Sequence, residues 1–191
     1  MKKLVGFTLL PLLSMAVVAS EYREHGAHVH GEVTLNLAVD AEHIFMEITA
    51  PGSDVVGFEH APKNAAQRQA LASALETLQA GERLFNFETE CSLISAQVSE
   101  TLTDHDHDHD HDHDHDHDHD HDHDHSHDTA SGHGEFNIHY MFECENAHQI
   151  KQIEFDWFNV FNNTTSVQVQ AISATGQSAA TLTAAESRFS F

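Results

Sequence analysis

Residues 33–49 read Val33-Thr34-Leu35-Asn36-Leu37-Ala38-Val39-Asp40-Ala41-Glu42-His43-Ile44-Phe45-Met46-Glu47-Ile48-Thr49. Val33, Leu35, Leu37 and Val39 fall on one side of an extended chain, and Glu32, Thr34, Asn36 and Ala38 on the other. A period of two with one apolar face is the pattern of a half-buried strand. Asp40, Ala41 and Glu42 supply a turn, Ile44, Met46 and Ile48 return on one face of residues 44–49, and Pro51 and Gly52 end the run. The stretch therefore predicts a β-hairpin. A loop with Gly57, Phe58, Glu59 and His60 follows, and Pro62 marks a helix entrance. Ala66, Ala70, Leu71, Ala74, Leu75 and Leu78 then recur at helical spacing as far as Gly81. Residues 84–87 and 92–98 read as two further strands.

Further along, His133, Gly134, Glu135, Phe136, Ile138 and Tyr140 echo His30, Gly31, Glu32, Val33, Leu35 and Leu37. A strand at 150–155, a short aromatic helix around 156–161, a strand at 166–174 and a returning strand pair to Phe191 complete the second series. The expectation is a strand-dominated α+β fold of two similar strand–strand–helix–strand–strand halves, residues 21–103 and 133–191. The competing reading is coincidence, because His-Gly-Glu before an alternating strand is a short pattern.

Residues 1–20 open with Lys2 and Lys3, run apolar over 4–18 and reach Val17, Ala19 and Ser20, the composition of a cleaved export signal. The apolar run is short for a membrane span. No cysteine stands at the junction, so no lipid anchor is expected. In an exported chain the two cysteines, Cys91 and Cys144, read as one structural disulfide rather than as buried thiols. Removing the signal takes the formal charge from −23 to −25. That balance excludes nucleic-acid binding, which needs a positive footprint, and favours divalent cations as partners.

Between the two series, aspartate and histidine alternate from 104 to 128 with only Ser126 breaking the pattern. The histidines are His105, His107, His109, His111, His113, His115, His117, His119, His121, His123, His125 and His127, twelve of the chain's 20. Imidazole is the commonest protein ligand for zinc and its neighbours. The tract has no apolar side chain with which to offset ordering entropy, so residues 104–132 are expected to form a disordered loop. In an extended chain alternate side chains share a side about 6.6 Å apart, a reach that suits chelation by near neighbours. Each interleaved aspartate balances cation charge and accepts a ring N–H, which makes the imidazole a better ligand. At three or four ligands per ion, the tract could hold about three or four zinc ions.

His28 and His30 stand two apart at the head of the first strand, with His25 nearby. They form half of a rigid site. The best candidates for the remainder are His60, with Glu59 beside it, and His133 at the matching point of the second series. His25, Glu32, Glu59 and Glu135 are candidate ligands or acceptors for ligand rings.

Ala27-His28-Val29-His30-Gly31, Val56-Gly57-Phe58-Glu59-His60-Ala61-Pro62 before a helix rich in glutamine and alanine, and a His-rich insertion ahead of a cysteine-containing strand together resemble the zinc-regulated ZrgA family. The resemblance spans essentially the whole mature chain. It implies a periplasmic protein that binds Zn(II) and works with an ABC-type importer of the inner membrane, and it raises His28, His30, His60 and His133 as ligands. Asn137 occupies a strand position near His133 where a further ligand could have stood. Metal buffering or detoxification without a transport partner, for Zn, Ni or Cu, is the alternative. An enzyme is not expected: the chain lacks H-E-x-x-H, G-x-S-x-G and any phosphate-cradling glycine loop.

Overall fold

The computed structural model describes residues 29–103 and 133–191. The expected export signal, His25, His28 and the aspartate/histidine tract lie outside the described residues. Along the chain the elements are β1 (Glu32–Asp40), β2 (His43–Pro51), a one-turn helix α1 (Gly52–Val55), α2 (Ala65–Gln79), β3 (Phe85–Phe87), β4 (Cys91–Glu100), β5 (Glu135–Cys144), β6 (Gln152–Phe155), α3 (Trp157–Val160), β7 (Ser166–Ser173), β8 (Gly176–Leu182) and β9 (Arg188–Ser190). Short 3-10 turns stand at Gly81–Leu84 and Ala147–Gln149.

The hairpin forms as its alternation requires, with Leu35 opposite Ile48 and Val39 opposite Ile44. Val33, Leu35, Leu37, Ile44, Met46 and Ile48 are all buried. The α2 register also follows its pattern: Leu71, Ala74 and Leu78 face the core, and the Asn64 side chain caps the helix by accepting from the Gln67 amide at 2.9 Å. Gly81 ends the helical run for a packing reason. A Cβ there would meet the Tyr140 ring at 2.4 Å, and the Tyr140 hydroxyl donates to the Leu78 carbonyl in the last turn of α2. The side chain thereby satisfies a carbonyl that the helix cannot.

The expected order strand–strand–helix–strand–strand recurs on both sides of the tract, but pairing does not repeat with it. One six-stranded sheet runs β4-β5-β2-β1-β7-β8, and a smaller sheet runs β3-β6-β9. β1 pairs with β2, whereas β5 and β6 lie in different sheets. The second returning pair is likewise divided: β8 pairs with β7, and β9 pairs with β6. Strands from both sides of the tract therefore interleave in a single core. Burial drives this arrangement, since Phe136, Ile138, Tyr140 and Phe142 on β5 are wholly buried only with β2 on one side, β4 on the other and the Phe85, Phe155 and Phe189 layer above. α3 contributes Trp157 and Phe158 to the same core.

Cys91 and Cys144 form the expected disulfide. They are directly opposed across β4 and β5, with Cα atoms 4.1 Å apart, at the end of the pair farthest from the tract. Two outcomes follow for stability. Replacing both cysteines with alanine should cost about 2–4 kcal/mol in denaturant unfolding, since the bridge closes a loop of 53 residues; parental stability would show that β4 is held without it. Tyr140→Phe should cost about 1–2 kcal/mol by leaving the Leu78 carbonyl without its donor.

Candidate metal centre

β5 pairs with β2 through to Pro51 opposite Glu135, and the main chain continues that ladder beyond the strands. The Gly52 amide donates to the Gly134 carbonyl at 2.7 Å, and the Gly134 amide donates to the Glu59 carbonyl at 3.0 Å. His133 is therefore locked against the loop after α1. Gly134 has no room for a side chain, because a Cβ would meet Leu102 at 2.6 Å.

His30 reaches the same place from the turn before β1. Gly31 adopts φ +84°, and a Cβ there would strike the Thr165 hydroxyl at 2.6 Å. Its carbonyl accepts from the amides of Thr165 and Ser166 at 2.8 and 2.9 Å and from the Thr165 hydroxyl at 2.7 Å. Its amide donates to Asp54 Oδ1 at 2.8 Å. Only glycine suits this close, left-handed position.

Glu59 stands between the two rings. Its Oε1 lies 2.9 Å from His30 Nε2, and its Oε2 lies 2.7 Å from His133 Nδ1. The rings meet edge to face with centroids 6.2 Å apart. The Ser53 hydroxyl lies 2.9 Å from the same Oε1. Side-chain exposure is 65% for His30 and 66% for His133 but 12% for Glu59, so two solvent-facing imidazoles sit over a sunken carboxylate. Burial acts to raise the pKa of Glu59, but the hydrogen bonds from Ser53, His30 and His133 outweigh it and hold the carboxyl below its usual range.

One donor atom from each of His30, Glu59 and His133 lies within 4.8 Å of the other two. Zinc bonds nitrogen and oxygen at about 2.0–2.2 Å, so donors around a tetrahedral ion stand roughly 3.3 Å apart. The two His–Glu contacts, at 2.9 and 2.7 Å, already stand near that spacing. Two imidazoles and a carboxylate are a zinc-type set, and three protein ligands leave a fourth position open.

Of the residues read from sequence, His30 and His133 converge as expected, and Glu59 occupies the centre. His60 points elsewhere. Its Nδ1 lies 2.9 Å from the Ala61 carbonyl and its ring stacks on Phe58, so the neighbouring Glu59 takes the place expected for it. Glu32 accepts from Gln168, and the buried Glu135 accepts from Asn137, whose own Oδ1 accepts from Thr49. Neither glutamate joins the group of three. Ser53 and Asp54 were not legible as parts of a site, since Pro-Gly-Ser-Asp after a strand reads only as a turn.

Asp54 is 2% exposed. Burial pushes its pKa up, opposed by the Gly31 amide, the Ser53 and Thr164 hydroxyls and the His30 charge. The two carboxyls therefore act oppositely on stability. Glu59, with its folded pKa depressed, contributes stability above its ordinary value of 4.5 that is lost as pH falls through the folded one. Asp54, with its folded pKa raised, contributes most below 3.8 and loses this as pH rises through the folded one. Glu59→Gln should thus remove part of the stability gained on raising pH from strongly acidic values in metal-free protein, read as thermal midpoint against pH. An unchanged profile would place the titration elsewhere.

No curated protein matches the chain. The ZrgA family of zinc-uptake proteins matches residues 27–191, which include both histidines, the central glutamate and both cysteines. A convergent His-Glu-His group on a disulfide-bridged two-sheet body and a match across nearly the whole chain agree, and the chain belongs to the ZrgA family of zinc-uptake proteins, a family of transport proteins rather than enzymes.

Proposed function

We propose that this chain is a periplasmic zinc-capture protein whose cargo is Zn(II), exported by the signal at residues 1–20 and supplying an ABC-type importer. The observation that carries the reading is the convergence of His30, Glu59 and His133 in a member of a zinc-uptake family. The two ligand histidines each precede Gly-Glu and a strand of the large sheet. This shared setting supports a diverged duplication, with halves 21–103 and 133–191 each lending one histidine.

The twelve tract histidines serve as further ligands and gather the ion. His133 follows the tract by only a few residues, so a cation held there is at high effective concentration near the centre. Exposed imidazoles and an open fourth position suit exchange, because an incoming ligand can bind before the others release. Protons compete with metal for imidazole, so affinity falls with acid.

The decisive comparison is calorimetric zinc titration of the mature chain, a form lacking residues 104–128, and variants of the centre. The shortened form should keep one tight site. His30→Ala or His133→Ala should weaken it by more than the roughly 10–100-fold that loss of an outer partner costs, and His60→Ala should leave it nearly unchanged. A shortened form with no tight zinc would leave a tract that merely buffers metal. Induction by zinc starvation rather than excess, and binding to a permease component, separate uptake from detoxification.

A further inference from the structure

We propose that Ser53 and Asp54 form a positioning pair for the metal centre, Asp54 holding the turn that carries His30 and Ser53 holding the carboxylate of Glu59. The inference rests on the zinc-capture reading and adds to it the device that sets the ligands in place. Asp54 is buried, and no lysine or arginine pairs with it among the described residues. Burying a carboxylate without a cationic partner costs several kcal/mol, so a fold retains one where its hydrogen bonds are needed. Two of those bonds lead to the centre, and the Thr164 hydroxyl supplies another from the segment after α3. Oδ1 takes the Gly31 amide at 2.8 Å across 23 residues of chain, directly beside His30, and receives the Ser53 hydroxyl at 3.2 Å.

Ser53 completes the connection. Its hydroxyl has one proton and two carboxylate oxygens in reach, Glu59 Oε1 at 2.9 Å and Asp54 Oδ1 at 3.2 Å. A carboxylate oxygen accepts more than one partner, so a cation on Glu59 leaves Oε1 able to keep the Ser53 hydroxyl, with Asp54 Oδ1 as the second acceptor beside it. The Ser53 carbonyl accepts from Asn163 Nδ2 at 3.1 Å, which anchors the residue from the segment after α3. α1 is a single turn and cannot stand by its own propensity, so these bonds are what set its two side chains. Ligands are held to productive geometry by such outer partners, whose loss costs about 10–100-fold in metal affinity.

The test titrates the mature chain with Zn(II) and, separately, with Co(II) as an absorbing probe. Every signal is taken as the difference from a His30→Ala/His133→Ala chain, which keeps the tract and lacks the centre. Asp54→Ala should weaken the centre about 10–100-fold and change the Co(II) absorption envelope. Asp54→Asn keeps an oxygen for the Gly31 amide and should restore most of both. Ser53→Ala, at a half-buried position, should fold with a parental thermal midpoint yet bind more weakly and shift the Co(II) bands. Parental affinity and bands in Ser53→Ala overturn the proposal whether or not Asp54→Ala folds. So does an Asp54→Asn chain no better than Asp54→Ala. A parental chain showing no difference from the double-histidine variant would instead defeat the zinc-capture reading itself.

Discussion

The pairing of β5 with β2 is the constraint on which the rest of the molecule depends. Nine residue pairs from His43 and Glu143 to Pro51 and Glu135 bring the chain after the tract back against the first hairpin. The ladder then runs on through Gly52, Gly134 and Glu59. Because side chains alternate along a strand, a slip of one residue would send Phe136, Ile138, Tyr140 and Phe142 to the solvent face. Register is thus fixed by core burial, and the same register delivers His133 to Glu59.

That coupling explains why the centre sits where it does. Each ligand belongs to a different segment: the turn before β1, the loop after α1 and the lead into β5. None is held by its own local structure. Gly31 is seated against Thr165 by the parallel pairing of β1 with β7, and Gly134 is seated against Leu102 where β4 ends. The two glycines allow the main chain to approach closely enough for neighbouring histidines to face one carboxylate. The disulfide stands at the opposite end of the β4–β5 pair, so the covalent bridge and the candidate metal centre occupy the two ends of one ladder.

The chemistry of the centre balances holding against release. A carboxylate at 12% exposure, with its proton held off by three hydrogen-bond partners, is a strong acceptor for a cation. The imidazoles above it remain open to water and to competing ligands. A fully enclosed four-ligand site would hold zinc more firmly and give it up slowly. In a member of a zinc-uptake family, such an arrangement of potential ligands leaves a metal ion room to enter and to leave.

Much was legible in local pattern. The strand alternation of residues 33–49, the α2 repeat, the cysteine pair and the candidacy of all three converging side chains follow from periodicity, composition and ligand chemistry, which act over a few residues. Element order was also readable, because turns and caps are local. Sheet partners were not, since two strands of equal pattern pair according to which arrangement buries the most apolar surface across the whole chain. Hence the separation of β5 from β6 and of β8 from β9, the choice of Glu59 over its neighbour His60, and the burial of Asp54 beneath the turn of His30 were decided only in three dimensions. Sequence by itself established that the chain carries imidazoles and acids suited to zinc on a strand-rich body. Tertiary structure selected which of them meet, because convergence depends on long-range register that no single stretch encodes.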